Sequence, residues 1–163
     1  GCGIMKPLAL YGHCQGHCGF HLPNEGIVYS GDLFDLRCSP GASLLSSDSS
    51  WALSVANLQS LLKLDIGTLV PGHGCPVLGV TAIRETLNRV LEETYMYKPA
   101  VLDCLKKLGR PSSISELHSR LYPDSIAYNA FSRKITIYNI LKELKSDGLV
   151  DVQVRRHKGL WQA

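Results

Sequence analysis

The sequence predicts an α/β fold in its first part and a mainly helical unit that ends in two strands in its second. In the first part, short apolar segments of period two alternate with glycine turns, and a helix and a buried strand follow. From Lys98 onward, helical patterns with start and stop signals dominate. Because 163 residues suffice for one ordinary domain or two small ones, we assign residues 1–97 to one domain and residues 98–163 to another.

The first part opens with strands over residues 4–34, including a hairpin whose turn is Pro23-Asn24-Glu25-Gly26. Serine, glycine, aspartate and proline then predict a loop. In chain order we expect this loop over residues 35–50, a helix from about Ser50, a strand over Ile66 to Val70, and a helix from near Val80 to about Tyr97.

The second part carries clear helix boundaries. Pro99 is expected to open a helix that runs through Leu108, and Ser113 with Glu116 forms a capping box for a short helix. A longer helix is expected over Asn129 to Ser146, followed by strands over Leu149–Val154 and Gly159–Gln162 around a basic turn. Three helices and a β-hairpin in this order resemble a winged helix-turn-helix.

Composition favours a soluble globular protein, since 45% of residues are hydrophobic and the net charge is only +3. No apolar run is long enough to span a bilayer and no signal-peptide pattern opens the chain, so we expect no membrane contact and a cytoplasmic location. The six cysteines lack C-x-x-C spacing. We interpret them as buried, reduced thiols, with substitution as metal ligands at Cys14, Cys18 or Cys75 as the alternative.

Tight glycine turns deliver three polar residues at predicted strand ends: His13 after Gly12, Asp32 after Gly31, and His73 after Gly72. Glycine permits a sharp turn, and a rigid strand fixes the direction of the side chain that follows it. Histidine and aspartate presented in this way suit a zinc or iron site.

These motifs resemble the second half of a metallo-β-lactamase-fold hydrolase. The resemblance rests on G-H-x-x-G-H, then L-P-x-x-G-x-x-x-S-G-D-L-F, then D-x-x-T-L-V-P-G-H-G. It implies that His13 binds one metal, that His73 binds the second, and that Asp32 bridges them as the catalytic residue. The implied fold is a partial αββα sandwich, and the implied reaction is hydrolysis of an ester, thioester, lactam or phosphodiester by a binuclear zinc, iron or manganese centre.

The family's other metal motif, H-x-H-x-D-H, is absent, because only twelve residues precede His13 and none of them is His or Asp. A tetrahedral catalytic zinc needs three protein ligands and one open position. We therefore expect a fragment that carries half an active site, is inactive or nearly so alone, and forms an oligomer or pairs with a missing N-terminal half.

The alternative function is a nucleic-acid-binding, regulatory or oligomerisation module formed by the winged helix. From Arg110 onward there are nine lysines and arginines against five acidic residues. Arg133, Lys134, Asn139 and Lys142 form a plausible contact set on the third helix, although an ordinary solvated face has the same composition. An RNA or DNA substrate would use this basic charge, whereas a small ester or thioester would leave the second domain as architecture, the outcome we favour.

The remaining histidines are expected to play minor roles. His17 is predicted to lie behind the metal ligands without binding metal, and His21 to lie on the hairpin surface or to be packed. His118 and His157 are predicted to be solvated.

Overall fold

The computed structural model describes residues 3–37, 41–124, 127–155 and 158–163. The chain forms two compact units, residues 1–94 and 95–163. Within the described residues, none of the helices combines the length and apolar character that crossing a bilayer requires.

A five-stranded sheet forms the first unit, in the spatial order β1-β2-β3-β4-β5. The strands are β1 (Lys6–Ala9), β2 (Cys18–Leu22), β3 (Ile27–Gly31), β4 (Thr68–Pro71) and β5 (Val77–Leu78). Only the central pair, β3 with β4, is parallel; the other three pairs are antiparallel. The predicted hairpin is confirmed, since Leu22 pairs with Ile27 across the turn and Gly26 adopts a φ of +63°.

Helix α1 (Trp51–Leu61) connects the two parallel strands. It begins where Ser50 accepts a hydrogen bond from the amide of Leu53, so Ser50 is the N-cap. Its buried face packs with the strands into one apolar core. The fully covered members of that core include Val28, Leu33, Phe34, Leu58, Leu61, Leu69 and Leu87.

The two faces of the sheet differ sharply in burial. Val28 and Leu69, paired across the parallel strands, are both completely buried. The neighbouring row on the opposite face runs from Pro7 through Phe20 and Tyr29 to Val70, and here Phe20 and Tyr29 are 39% and 40% exposed. Side chains alternate between faces along a strand. The described helices and loops of the first unit therefore cover one face of the sheet, and the row with Phe20 and Tyr29 on the other face stays partly exposed.

Helix α2 (Val80–Leu108) corrects the predicted break near Tyr97. It is continuous over 29 residues and contains Pro99 inside it. A proline ring fixes φ at a helical value but removes one backbone donor. Pro99 is exposed, and the helix continues through it.

The second unit contains α3 (Ile114–Leu121), α4 (Ala127–Ser146) and a sheet of β6 (Asp151–Arg155) with β7 (Lys158–Gln162). The predicted cap is confirmed: the Ser113 side chain accepts from the Glu116 amide at 3.2 Å. Helix α4 begins two residues before its predicted start. Residues 156–157, in the predicted basic turn and including His157, lie outside the described residues.

Two predictions for side chains of this unit were wrong. His118 is buried, with 7% exposure, instead of solvated; it lies in α3 beside the buried Leu117. Asn139 is completely buried and cannot belong to an exposed contact set on α4. Helical periodicity alone did not reveal which polar residues share the packed face.

Candidate metal centre

Asp32 and His73 lie side by side at the ends of the two parallel strands. Asp32 follows the last residue of β3 and His73 comes two residues after the end of β4. Carboxyl ends of parallel strands meet at one edge of a sheet, and the Asp32 Oδ1 atom is 3.4 Å from His73 Nε2. Both side chains are partly open to solvent, at 41% and 48% exposure. The structure thus brings together two of the predicted metal ligands.

Two glycines make this approach possible. A Cβ atom added at Gly72 would collide with Asp32 Oδ1 and would stand 2.9 Å from the Gly31 carbonyl carbon. Gly31 itself has a φ of +55°, a conformation that glycine adopts without steric penalty. The backbone bond from the Gly72 amide to the Gly31 carbonyl, 2.8 Å long, locks the two turns together.

His13 is held by a residue that lies thirty positions away in the sequence. Its Nδ1 atom is 2.9 Å from the Ser43 carbonyl oxygen and 3.1 Å from the Ser43 hydroxyl. Because a carbonyl only accepts, Nδ1 carries the proton, and the tautomer leaves an unprotonated lone pair on Nε2. Metal-binding histidines are commonly oriented by such a bond from the other ring nitrogen, so His13 has the form that a ligand requires.

His17 lies between His13 and Asp32 and contacts both residues. The rings of His13 and His17 meet edge to face, with their centroids 5.5 Å apart. His17 Nε2 accepts a hydrogen bond from the Asp32 amide at 2.9 Å, and its Nδ1 lies 2.8 Å from the Leu10 carbonyl. Both ring nitrogens are therefore engaged by backbone, in agreement with a position behind the ligands.

A further carboxylate, which the motifs did not single out, belongs to Asp35. Its hydrogen bonds from the Arg37 side chain lower its pKa, and weaker attraction to His73 acts in the same direction. Both Asp35 oxygens accept from Arg37, at 3.2 Å from Nε and 3.1 Å from Nη2. Asp35 is consequently an ionised carboxylate already committed to a guanidinium. Cys38 and its two successors lie outside the described residues.

The donor set fits a divalent metal in kind but not in number. Carboxylate and imidazole donors suit zinc, iron or manganese, and the tautomer of His13 supports this fit. Across the parts of the chain that the structure describes, however, no three His, Cys, Asp or Glu side chains are grouped closely enough to hold an ion. The pair of Asp32 and His73 is half of a tetrahedral ligand set.

The cysteines differ from their predicted burial. Of those described, Cys104 is buried, Cys14 is half-buried, and Cys18 and Cys75 are exposed; all four are free thiols. Burial raises the pKa of the Cys104 thiol, which keeps it protonated. His21 is half-buried, and its Nε2 atom lacks a hydrogen-bond partner among the residues that the structure describes.

Known proteins resemble this chain in sequence and in fold. Residues 1–73 match the metallo-beta-lactamase superfamily. A metallo-beta-lactamase family protein from Thermus thermophilus is 22% identical, covers 99% of this chain and 50% of its own, and gives a TM-score of 0.71. A beta-lactamase domain protein from Burkholderia ambifaria is 17% identical, with coverages of 99% and 48% and a TM-score of 0.74.

A third similar structure is the stereoselective inverting sec-alkylsulfatase of Pseudomonas sp., which is 14% identical. It covers 81% of this chain and 23% of its own, with a TM-score of 0.58. No curated protein sequence matches the chain.

The first part of the chain therefore has the fold of metallo-beta-lactamase superfamily proteins, and residues 1–73 resemble that superfamily in sequence. The chain spans about half the length of the first two solved structures that it matches.

Proposed function

We propose that this chain supplies one half of the centre of a metal-dependent hydrolase, with His13, Asp32 and His73 as ligands. The observation that carries the proposal is the contact between Asp32 and His73 at the ends of the parallel strands. The tautomer that Ser43 imposes on His13 supports it. The remaining ligands are proposed to come from the rest of a longer polypeptide or from a partner chain.

In this proposal a zinc, iron or manganese pair, when bound, supplies an activated water and polarises the scissile bond of the substrate. His13 and His73 would each offer an imidazole nitrogen, and Asp32 would offer its carboxylate oxygens. Gly31 and Gly72 keep room for that carboxylate. The substrate is an ester, thioester, lactam or phosphodiester.

The open face of the sheet supports the expectation of a partner layer. Phe20 and Tyr29 stand opposite each other on neighbouring strands and are both exposed. An aromatic pair on a sheet face normally gains its stability by being covered. We propose that a second layer, from the same longer protein or from another copy, covers this row. Sedimentation of the chain alone tests self-association. If the chain sediments as a monomer, a second copy of the chain is excluded as the layer that covers Phe20 and Tyr29.

Hydrolysis by a longer polypeptide that contains this sequence, or by this chain with the partner that supplies the remaining ligands, tests the metal role. We expect turnover of a generic ester or thioester to fall to background in Asp32→Ala. Asp65→Ala is the matched control, because Asp65 is an exposed carboxylate before β4 whose loss changes the charge equally. Full activity in Asp32→Ala, or equal losses in both variants, would refute the assignment. We also expect no turnover by the 163-residue chain alone.

A second candidate function, nucleic-acid binding by a winged helix in residues 98–163, is favoured by one surface. Phe131 on α4 is 74% exposed. Two turns later, Tyr138 is exposed and lies beneath the Lys142 ammonium, whose nitrogen is 5.3 Å from the ring centroid. Exposed aromatic rings beside cations are typical of platforms on which bases stack.

Binding of a labelled single-stranded oligonucleotide and of a duplex separates the two candidates. If the platform binds bases, Phe131→Ala weakens binding by about 1–3 kcal/mol, and affinity falls steeply with salt. Met96→Ala, which removes another exposed apolar side chain from the same unit, should leave binding unchanged. Absence of salt-dependent binding by the wild-type chain would reject the nucleic-acid function and leave the second unit as architecture.

A further inference from the structure

We propose that His17 is a positioning residue that fixes the direction of Asp32 through hydrogen bonds at both of its ring nitrogens. The proposal deepens the function proposed above, since it concerns the residue behind a predicted ligand. It makes His17 necessary for the Asp32 carboxylate to face His73, and it excludes His17 itself as a ligand.

The hydrogen-bond partners of the His17 ring determine its tautomer. The Leu10 carbonyl can only accept, so His17 Nδ1 must donate across the 2.8 Å contact. The Asp32 amide can only donate, so Nε2 must offer its lone pair across 2.9 Å. Only the neutral ring with the proton on Nδ1 satisfies both bonds. No lone pair remains for a metal.

The ring is also clamped through its own backbone. The Leu10 amide donates to the His17 carbonyl at 3.2 Å, and Leu10 is buried in the core. The backbone carbonyl of His17 thus binds the Leu10 amide, and the ring of His17 binds the Leu10 carbonyl. This double attachment fixes Nε2 relative to the sheet before it meets Asp32.

Asp32 needs such an acceptor because it follows the last residue of β3, so its amide lies beyond the strand. An amide turned away from water without an acceptor costs roughly 1–3 kcal/mol. His17 supplies the acceptor, and Gly31 leaves room for it, because a Cβ at Gly31 would stand 2.6 Å from His17 Nε2. With the amide held, only the two side-chain torsions of Asp32 remain free, and Gly72 opens the space toward His73.

A direct test of the bond needs neither metal nor activity. In the 163-residue chain labelled with ¹⁵N, we expect a scalar coupling across the hydrogen bond between the Asp32 amide nitrogen and His17 Nε2. The His17 nitrogen shifts should report the tautomer protonated on Nδ1, and the Asp32 amide should exchange slowly. A missing coupling combined with fast exchange of that amide would overturn the proposal.

A pair of substitutions separates positioning from simple packing. His17→Phe keeps a planar ring and removes both bonds. His17→Gln offers an amide oxygen to the Asp32 amide and an amide N–H to Leu10, so it is the conservative rescue. His21→Phe is the matched control, since it removes a half-buried histidine from β2.

Titration with Co²⁺, followed by its visible absorption, measures the consequence for ligand geometry. We expect His17→Phe to weaken Co²⁺ binding about 10- to 100-fold, the usual effect of losing a group that orients a ligand. His17→Gln should recover most of the affinity, and His21→Phe should match wild type. In a D32N background, His17→Phe should have no further effect, because the two residues act as one unit.

Equal losses from His17→Phe in the Asp32 and D32N backgrounds would overturn the positioning role, as would failure of His17→Gln to recover binding while it folds normally. The titration is made on a longer polypeptide, or a complex with the partner, that supplies the remaining ligands; if its wild type binds no Co²⁺, the proposed metal role of this chain fails. The coupling and the amide exchange then decide by themselves whether His17 holds Asp32.

Discussion

Gly72→Ala is the sharpest perturbation of the candidate metal centre. The backbone at Gly72 is not in the left-handed region, so alanine brings no conformational penalty of its own. The added Cβ would stand 2.9 Å from the Gly31 carbonyl carbon and 3.1 Å from its oxygen, in addition to colliding with Asp32 Oδ1. The carboxylate can rotate away, but the backbone of Gly31 cannot move without stretching its bond to the Gly72 amide.

We estimate a loss of about 1–3 kcal/mol, the usual cost of overpacking a close contact. For a unit of 94 residues, this lowers Tm by roughly 5–20 °C. Thermal unfolding followed by Trp51 fluorescence, with Trp161 replaced by Phe, reports on this unit. In the same variant, the His73 imidazole resonances should shift and Co²⁺ binding should weaken, since Asp32 is displaced from its position 3.4 Å from His73.

Gly67→Ala is the matched control on the other side of β4. Within the described part of the chain, a Cβ there meets only the Gly26 carbonyl oxygen, at 3.7 Å, which is an ordinary contact. We expect stability within about 0.5 kcal/mol of wild type and unchanged His73 resonances. If Gly72→Ala behaves like Gly67→Ala in both measurements, the close approach that we infer at the ends of β3 and β4 is wrong.

Three further predictions concern local features of the chain. Burial, aided by cations on α4, lowers the pKa of His118 below 6.5, so the unfolded state binds more protons and stability falls as pH drops below about 6.5. His118→Phe should flatten this dependence in urea midpoints measured between about pH 5 and 8, followed by Trp161 fluorescence with the other tryptophan replaced. Ser50→Ala should cost about 0.5–2 kcal/mol in thermal unfolding, since it removes the α1 N-cap, and an unchanged Tm would contradict the cap. Arg37→Ala should raise the pKa of Asp35 toward its ordinary value of 3.8, as followed by carboxyl ¹³C shifts; an unmoved titration would show that another group lowers it.

The local structure of this protein could be predicted from its sequence, because turns and helix caps depend on only a few neighbouring residues. The turn ending at Gly26 and the cap at Ser113 were both predicted from residues within one turn of each other. The order of the motifs also identified His13, Asp32 and His73 as candidate metal ligands. Their metal-binding role stays a prediction, although the structure places Asp32 beside His73.

Helix boundaries and burial were less predictable. Pro99 predicts the start of a helix, yet it lies inside α2. Its fixed φ is compatible with a helix, and its exposed position makes the missing N–H donor tolerable. The sequence predicts a solvated His118, yet this residue is buried. Periodicity describes one helix at a time, whereas burial depends on which faces two helices turn toward each other.

By itself, the sequence determined which residues stand at the ends of strands, since glycine turns and strand patterns are written in adjacent positions. Only the tertiary structure decided how those residues are held. Ser43 orients His13 from thirty positions away, and His17 reaches the amide of Asp32 across the hairpin. Such pairs leave no local signal, because their distance in space is set by packing of the whole sheet and not by neighbouring residues in the chain.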